Sequence, residues 1–205
     1  MAARRRPLHE DTLLALTVLL RHRGKRPPDL RTCVEATERG WWYAAPVRAE
    51  ETVVMFFTDR REYARGVVFG ELVEDAPLIE DRTAGATVTE SRVLSARSGL
   101  REPLGGAGWL AVGDSASSYD PVSGSGIHKA LAHGALAAGA VHGALRGDTR
   151  ALGRYMERVR TDFGAYARAR RAVYESERRW EGAGFWTRRL QSFAPARWEP
   201  EAARH

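Results

Sequence analysis

The chain has 205 residues, 43% of them hydrophobic, which is room for one domain or one and a half and enough apolar material for a core, so global disorder is excluded. The net charge is +6 and the isoelectric point about 10, with Lys25 and Lys129 as the only lysines in an arginine-rich sequence. Acidic residues are mixed along the whole length, and there is no zinc spacing, recognition helix or aromatic RNA-binding signature; this is a solvated arginine-rich surface, not a nucleic-acid-binding protein.

Cys33 is the single cysteine. It builds no disulfide or cysteine-based metal site within one chain, which fits a reducing cytoplasm, and it reads as a small apolar core residue. Six histidines are scattered, and His128 and His133 do not face one another as i, i+4 ligands would, so no metal site is expected.

Arg4, Arg5 and Arg6 precede an apolar run at 13–20 that superficially resembles a secretory leader. Glu10 and Asp11 interrupt the approach, and Arg21-His22-Arg23 stand where a small-residue cleavage site belongs. The run is too short to span a bilayer. It is expected to form a helix capped by Asp11 or Thr12, with its leucines on one buried face and Pro27-Pro28 ending it.

Two strand signals follow, an aromatic stretch at 40–47 and a β-branched and aromatic stretch at 52–59. With a polar turn at 48–51 between them they predict an antiparallel hairpin. Residues 59–106 are punctuated by Pro77, Gly85, Gly99 and Pro103 and are poorly legible, apart from a strand expected over 88–94. Arg92 and Arg97 have the reach to meet a carboxylate or phosphate, but solvent exposure is the default for arginine.

The most informative stretch is 108–145. Trp109-Leu110-Ala111-Val112 is a short apolar run bounded by glycines, the pattern of a strand covered on both faces. Gly113-Asp114 closes it, placing a carboxylate where open α/β sheets bind ligands. A loop runs through Asp120-Pro121 to Gly124-Ser125-Gly126, and residues 127–145, free of proline and rich in alanine, predict a long helix. Its glycines Gly134, Gly139 and Gly143 allow close packing against a sheet or a flat cofactor. Glycines at a helix start let the backbone approach a ligand, and the free N–H groups there favour negative charge.

Gly113-Asp114, Asp120-Pro121 and Gly124-Ser125-Gly126, in that order, resemble the second FAD motif of flavin monooxygenases of the hydroxybenzoate-hydroxylase fold. The closer resemblance is to the branch holding flavin-dependent halogenases such as tryptophan halogenases, geranylgeranyl-reductase-like enzymes, and flavoproteins that help mature quinone-bearing amino-acid oxidases. The resemblance implies that Asp114 contacts the ribityl or ribose region of FAD. It implies that Pro121 and the backbone of Gly124, Ser125, Gly126 and Ile127 lie beside the isoalloxazine ring, with Gly113 completing the cofactor-binding set. Trp41-x-Tyr43-x-Ala45-Pro46 is similar to the Trp-x-Trp-x-Ile-Pro segment that lines the substrate cavity in halogenases, departing from it at Tyr43 and Ala45. Trp41, Tyr43, Ala45 and Pro46 are therefore the implied substrate wall; sheet-packing aromatics are the alternative. No residue qualifies as a catalytic acid, base or nucleophile. Asp120, His128 and Lys129 border the implied flavin face but read as loop or helix-surface residues.

Gly147-Asp148 marks a break. Tyr155, Val159, Phe163 and Tyr166 then recur at helical spacing with arginines between them, predicting a helix that runs on to Trp180 and docks its aromatic stripe on the core. Trp180, Phe185, Trp186 and Trp198 continue an apolar tail, of which Phe185-Trp186-Thr187-Arg188-Arg189 resembles the terminal segment of the same branch.

The expected fold is mixed, α+β / α/β: a partial FAD/NAD(P)-binding fold with an antiparallel substrate-domain sheet, one returning parallel strand and long C-terminal helices. The expected division is 1–105 for a partial substrate-binding domain, helix plus antiparallel strands, 106–147 for the second FAD motif, and 148–205 for a C-terminal helical segment. The glycine fingerprint that holds the ADP part of FAD is absent from residues 1–40. The resemblance thus implies the C-terminal portion of an FAD-dependent monooxygenase/halogenase-like oxidoreductase acting on an organic small molecule. This chain would supply half of the FAD site and a flavin-binding N-terminal half or other partner protein the rest. The alternative is a non-catalytic remnant or accessory subunit that docks on a partner.

Overall fold

The computed structural model describes residues 11–23, 30–66 and 68–192. Arg4, Arg5, Arg6, Pro27, Pro28 and Trp198 lie outside them. The chain divides into two compact units.

One unit comprises Thr12–Ala96 and Glu177–Arg188. Its strands are β1 (Leu13–His22), β2 (Cys33–Thr37), β3 (Gly40–Arg48), β4 (Glu51–Asp59) and, after the short helices α1 (Arg60–Ala64), α2 (Phe69–Glu74) and α3 (Pro77–Thr83), β5 (Ala86–Ser95). They form one sheet in the order β2-β3-β4-β1-β5, every pairing antiparallel. The leucine-rich run expected as a helix is therefore β1, flanked on both sides by β4 and β5. A continuous apolar run has no clear period of its own, and here both faces of a strand require it. Val18 and Leu20 enter the main core, while Leu13 and Ala15 are buried outside that cluster.

The predicted hairpin is present as β3 and β4. Cross-strand partners point to the same face, so Trp42 pairs with Phe56, ring centroids 4.7 Å apart, on the core side. Trp41 stacks on Phe57 at 4.0 Å in the neighbouring register pair. Leu72, Val73, Ala76 and Ile79 of α2, α3 and their junction close the core over Trp42, Val54 and Phe56. Burying each of the larger aliphatic side chains among these stabilises by about 1.5–3 kcal/mol. Asp59 caps α1, its carboxylate accepting the Arg61 and Glu62 amides at 2.8 and 3.0 Å. Arg188 donates to Asp59 at 2.6 Å and to Glu62 at 2.9 Å, and Trp186 donates to the Thr37 carbonyl at 3.0 Å. Cys33 is half-buried and packs on this core.

The other unit comprises Asp11, Arg97–Ser176 and the residues from Arg189 onward. Its short strands are β6 (Gly99–Leu100), β7 (Gly105–Gly106), β8 (Trp109–Leu110) and β9 (Ser117–Ser118). Two long helices follow, α4 (Gly126–Leu145) and α5 (Ala151–Ser176); α6 (Gly184–Gln191), the last element among the described residues, has its residues 184–188 in the unit of β1–β5. The expected break is there: Gly147 has φ +94°, and the Asp148 amide returns to the Gly143 carbonyl at 2.9 Å. The expected aromatic stripe is also there, with Tyr155, Val159, Phe163 and Tyr166 packed on Leu100, Leu104, Ala111, Ala116, Ala137 and Ala140.

Three expectations change. β8 is two residues long and pairs antiparallel with β7; Trp109 is 43% exposed. A strand covered on both faces needs neighbours, and the described residues supply none parallel to it. The last long helix stops at Ser176 rather than Trp180, where the Glu177 carboxylate accepts the Arg179 amide at 2.9 Å and turns the chain. Of the glycines in α4 expected to pack closely, Gly134 and Gly139 face open space, and only Gly143 has a close neighbour: a Cβ built there would stand 3.1 Å from the Ala151 methyl.

Candidate functional site

The residues between β8 and α4 carry the candidate site. Gly113, at φ +60°, turns the chain out of Val112 into a single 3-10 turn. The Ser115 hydroxyl closes that turn, accepting the Val112 amide at 3.0 Å and donating to the Val112 carbonyl at 2.7 Å. This sets Asp114 outward, its side chain 79% exposed. Asp114 is not alone. Lys129, one turn into α4, donates to its Oδ1 at 2.6 Å and also to the Ser117 carbonyl, with its ammonium 4.8 Å from the Tyr119 ring centre. Lys129 is buried, against the expectation of a helix-surface residue. It lies on the same helix face as His133, Ala137 and Ala140, all buried.

Asp120, expected in an ordinary loop, is fully buried. One carboxylate oxygen accepts the Val122 amide at 3.0 Å, turning the chain into Pro121. The other accepts from Arg170 at 3.2 Å, from Tyr174 at 2.9 Å and from Arg189. Asp11 shares this cluster, taking Arg189 at 2.9 Å and the Ser98 hydroxyl at 3.1 Å. Burial opposes the Arg189 charge, but Tyr174, Asp11 and Asp120 outweigh it and raise the guanidinium above its ordinary value. Such a cluster is tolerated inside a protein because each charge is paired and hydrogen-bonded.

At the mouth of α4, Gly124 has φ +60°. A Cβ built at Gly124 or Gly126 meets nothing within 4 Å. Ser125 makes no side-chain cap, and Ile127 is 80% exposed. The start of α4 is therefore exposed and has no side-chain cap, and uncapped first-turn amides are the groups that receive an anion. Gly113 and Asp114 thus lie on one 3-10 turn, Pro121 on a second, and Gly124, Ser125, Gly126 and Ile127 at the start of α4. An open glycine cradle with an outward carboxylate fits the flavin that the sequence implies. His128 is exposed on the same turn.

In the other unit, Trp41 is buried against Phe57, while Tyr43, Ala45 and Pro46 are half-buried. Tyr43 and Ala45 register with Met55 and Val53 of β4 and share their face. Arg92 is exposed and pairs with Glu90 at 3.2 Å. Among the described residues there is no cluster of metal-binding side chains, and no helix is long and apolar enough to cross a membrane.

Reading the sequence missed Lys129 and the Asp120 cluster, though each left a trace. Lys129 stands four residues before His133, on the buried face of α4. Arg170 falls between Tyr166 and Tyr174 at intervals of one helical turn, a charge inside an aromatic stripe.

No family model matches the chain. A protein of Marinomonas mediterranea assigned by inference as the FAD-dependent oxidoreductase LodB is 29% identical over 193 residues, covering 89% of this chain and 50% of that protein. Among solved structures, the flavin-dependent halogenase CmlS superposes with a TM-score of 0.76 at 18% identity, over 96% of this chain and 38% of the halogenase. The myxobacterial chondrochloren halogenase CndH gives 0.75 at 24% identity, over 87% and 44%. The peptidyl tryptophan dihydroxylase QhpG, essential for tryptophylquinone cofactor biogenesis, gives 0.72 at 25% identity, over 92% and 45%. The chain spans about half the length of the curated relative it matches. Its fold is that of part of a flavin-dependent halogenase-like oxidoreductase, fitting a C-terminal half.

Proposed function

We propose that the chain is the C-terminal portion of an FAD-dependent monooxygenase/halogenase-like oxidoreductase acting on an organic small molecule. In this reading Gly113, Asp114, Pro121, Gly124, Ser125, Gly126 and Ile127 hold one side of the flavin. When bound, the flavin supplies the redox chemistry, activating oxygen or passing a hydride. The chain's own groups bind and orient: Asp114 accepts hydrogen bonds from sugar-like hydroxyls, and the α4 amides face negative charge. Trp41, Tyr43 and Ala45, which share one face of β3, and Pro46 next to them form a wall for an organic substrate. The lone cysteine fits a cytoplasmic setting.

The observation that carries this reading is the outer face of α4. Ile127, Leu131 and Leu145 are 80, 72 and 83% exposed, on the helix whose mouth forms the candidate site. Contiguous apolar surface of this kind marks an interaction site. A flavin-binding N-terminal half, on this chain's own polypeptide or another, would cover it and complete the FAD site.

Titrating the purified chain with FAD tests the proposal. The chain alone should leave the flavin absorbance unchanged at micromolar strength, yet millimolar FAD should shift NMR resonances of residues 113–127. Micromolar binding by the chain alone would refute the half-site, and shifts absent from 113–127 would refute the flavin. The same bare helix face supports a second reading, an accessory chain that docks without flavin chemistry, and a null FAD titration would favour it.

A further inference from the structure

Asp114 and Lys129 are bonded yet opposite in burial: the Asp114 side chain is 79% exposed and that of Lys129 4%. Lysine is almost never buried so deeply unless its charge is paired, because desolvating an ammonium is costly. Position 129 lies on the buried face of α4. Its ammonium is held there by the Ser117 carbonyl, the Asp114 carboxylate and the Tyr119 ring. Of these partners Ser117 is buried, Tyr119 is half-buried, and Asp114 is the exposed one. A carboxylate that exposed would otherwise sample several rotamers, and fixing one costs side-chain entropy that a ligand would have to supply on binding.

We propose that Lys129 is the positioning residue for Asp114. It holds Oδ1, so that Oδ2, which accepts no hydrogen bond from the described residues, stands ready for a ligand hydroxyl. The charge balance follows from the same contact. A bare carboxylate next to the α4 mouth would repel the anionic ligands that a helix N-terminus attracts. Lys129 cancels that charge and leaves the acceptor in place, so one site can take a polyol and an anion together, as the ribityl chain and diphosphate of FAD require. The identity of the ligand rests on the flavin reading above; the pairing does not.

The test uses the full chain, labelled with 13C and 15N, as the parent protein, Lys129→Met, Asp114→Asn and the double variant, each titrated with FAD to millimolar concentration. Methionine keeps the helix propensity and apolar stem of lysine. Each single variant should weaken FAD binding about tenfold, and the double variant should be no weaker than the weaker single, the signature of groups acting as one. Effects that multiply would overturn the proposal. Without ligand, the Asp114 carboxyl carbon should move in Lys129→Met; an unmoved resonance would also overturn it. If FAD shifts nothing in the parent chain, the flavin reading fails and the ligand-free spectrum still decides the positioning role. If Lys129→Met does not fold, Asp114→Asn, altered at an exposed position, carries the test. Its Lys129 ammonium protons should exchange faster than in the parent, and unchanged exchange would overturn the proposal.

Discussion

The Asp120 amide donates to the Tyr166 hydroxyl at 2.6 Å, and that hydroxyl donates onward to Ser98 at 2.9 Å, whose own hydroxyl reaches Asp11 at 3.1 Å. The chain therefore enters the Pro121 turn anchored at two points, by its amide through Tyr166 and by its carboxylate through Arg170, Tyr174 and Arg189. The turn that precedes the open glycines is held from beneath, away from the face a ligand would use. Asp120→Ala leaves two buried guanidiniums with Asp11 as their remaining carboxylate and should destabilise by about 3–5 kcal/mol. Tyr166→Phe removes one hydroxyl and should cost about 1–3 kcal/mol. Denaturant midpoints measure both, and an Asp120→Ala chain as stable as the parent would show the cluster to be without energetic weight.

Alkaline pH should unfold this unit at its tyrosines. Burial, with Asp162 nearby, pushes the Tyr119 hydroxyl up to about 12. Burial, with Asp120 nearby, raises Tyr166 further. Both folded values lie above the unfolded value near 10, so the folded state keeps its protons longer. That contribution is complete below about pH 10 and is lost as pH rises toward about 12. Stability should therefore fall over that window, with late phenolate absorbance from these two groups. Tyr119→Phe should flatten the fall, and an unchanged profile would count against Tyr119 as a source.

Much of this was legible in the sequence because local chemistry and tertiary demand agreed. The 40–47 and 52–59 stretches pair as read, residues 127–145 form the helix their composition predicts, and Tyr155 to Tyr166 face inward at helical spacing. The run at 13–20 is a strand rather than the expected helix because its leucines satisfy a helix face as well as a strand, and only the distant partners at 52–59 and 88–95 decide. α1, α2 and α3 are five to seven residues long, too short for a period to register. Lys129 and Asp120 were misread because each is buried by partners far along the chain, which residue type alone does not announce.

Gly40 tests the hairpin. A Cβ there would run into the Phe57 carbonyl and come within 2.7 Å of the Phe56 ring. Phe56 lies in a packed core and the carbonyl belongs to the β3–β4 ladder, so neither yields cheaply. Gly40→Ala should cost about 1–3 kcal/mol or more, as overpacking does. Calorimetry measures it, and an unshifted melting temperature would mean that β3 and β4 separate more easily than their stacking suggests.

Trp41 and Tyr43 separate packing from substrate contact. Trp41 is buried with no substrate present, so Trp41→Ala should destabilise by about 3–5 kcal/mol. Tyr43 is half-buried, and Tyr43→Phe should fall within about 0.5 kcal/mol of the parent. Thermal melts of the two variants provide the check. A Trp41→Ala chain with parental stability would remove Trp41 from the core and leave it wholly to the wall.

The outer face of α4 should be silent in folding and decisive in association. Leu131 is 72% exposed and Ile127 80%, so neither contributes much to the stability of this chain, and Leu131→Glu should change it by no more than about 0.5 kcal/mol. The same substitution places a charge in the middle of the apolar stripe. Any surface that covers the stripe would have to bury that charge unpaired, at several kcal/mol by the usual desolvation cost. The chain by itself should associate as its concentration rises, because the stripe is bare, and Leu131→Glu should hold it monomeric. Sedimentation velocity across a concentration series reads both outcomes. A parent chain that stays monomeric throughout would mean that this face does not drive association, and the half-site reading would then lose the observation that carries it.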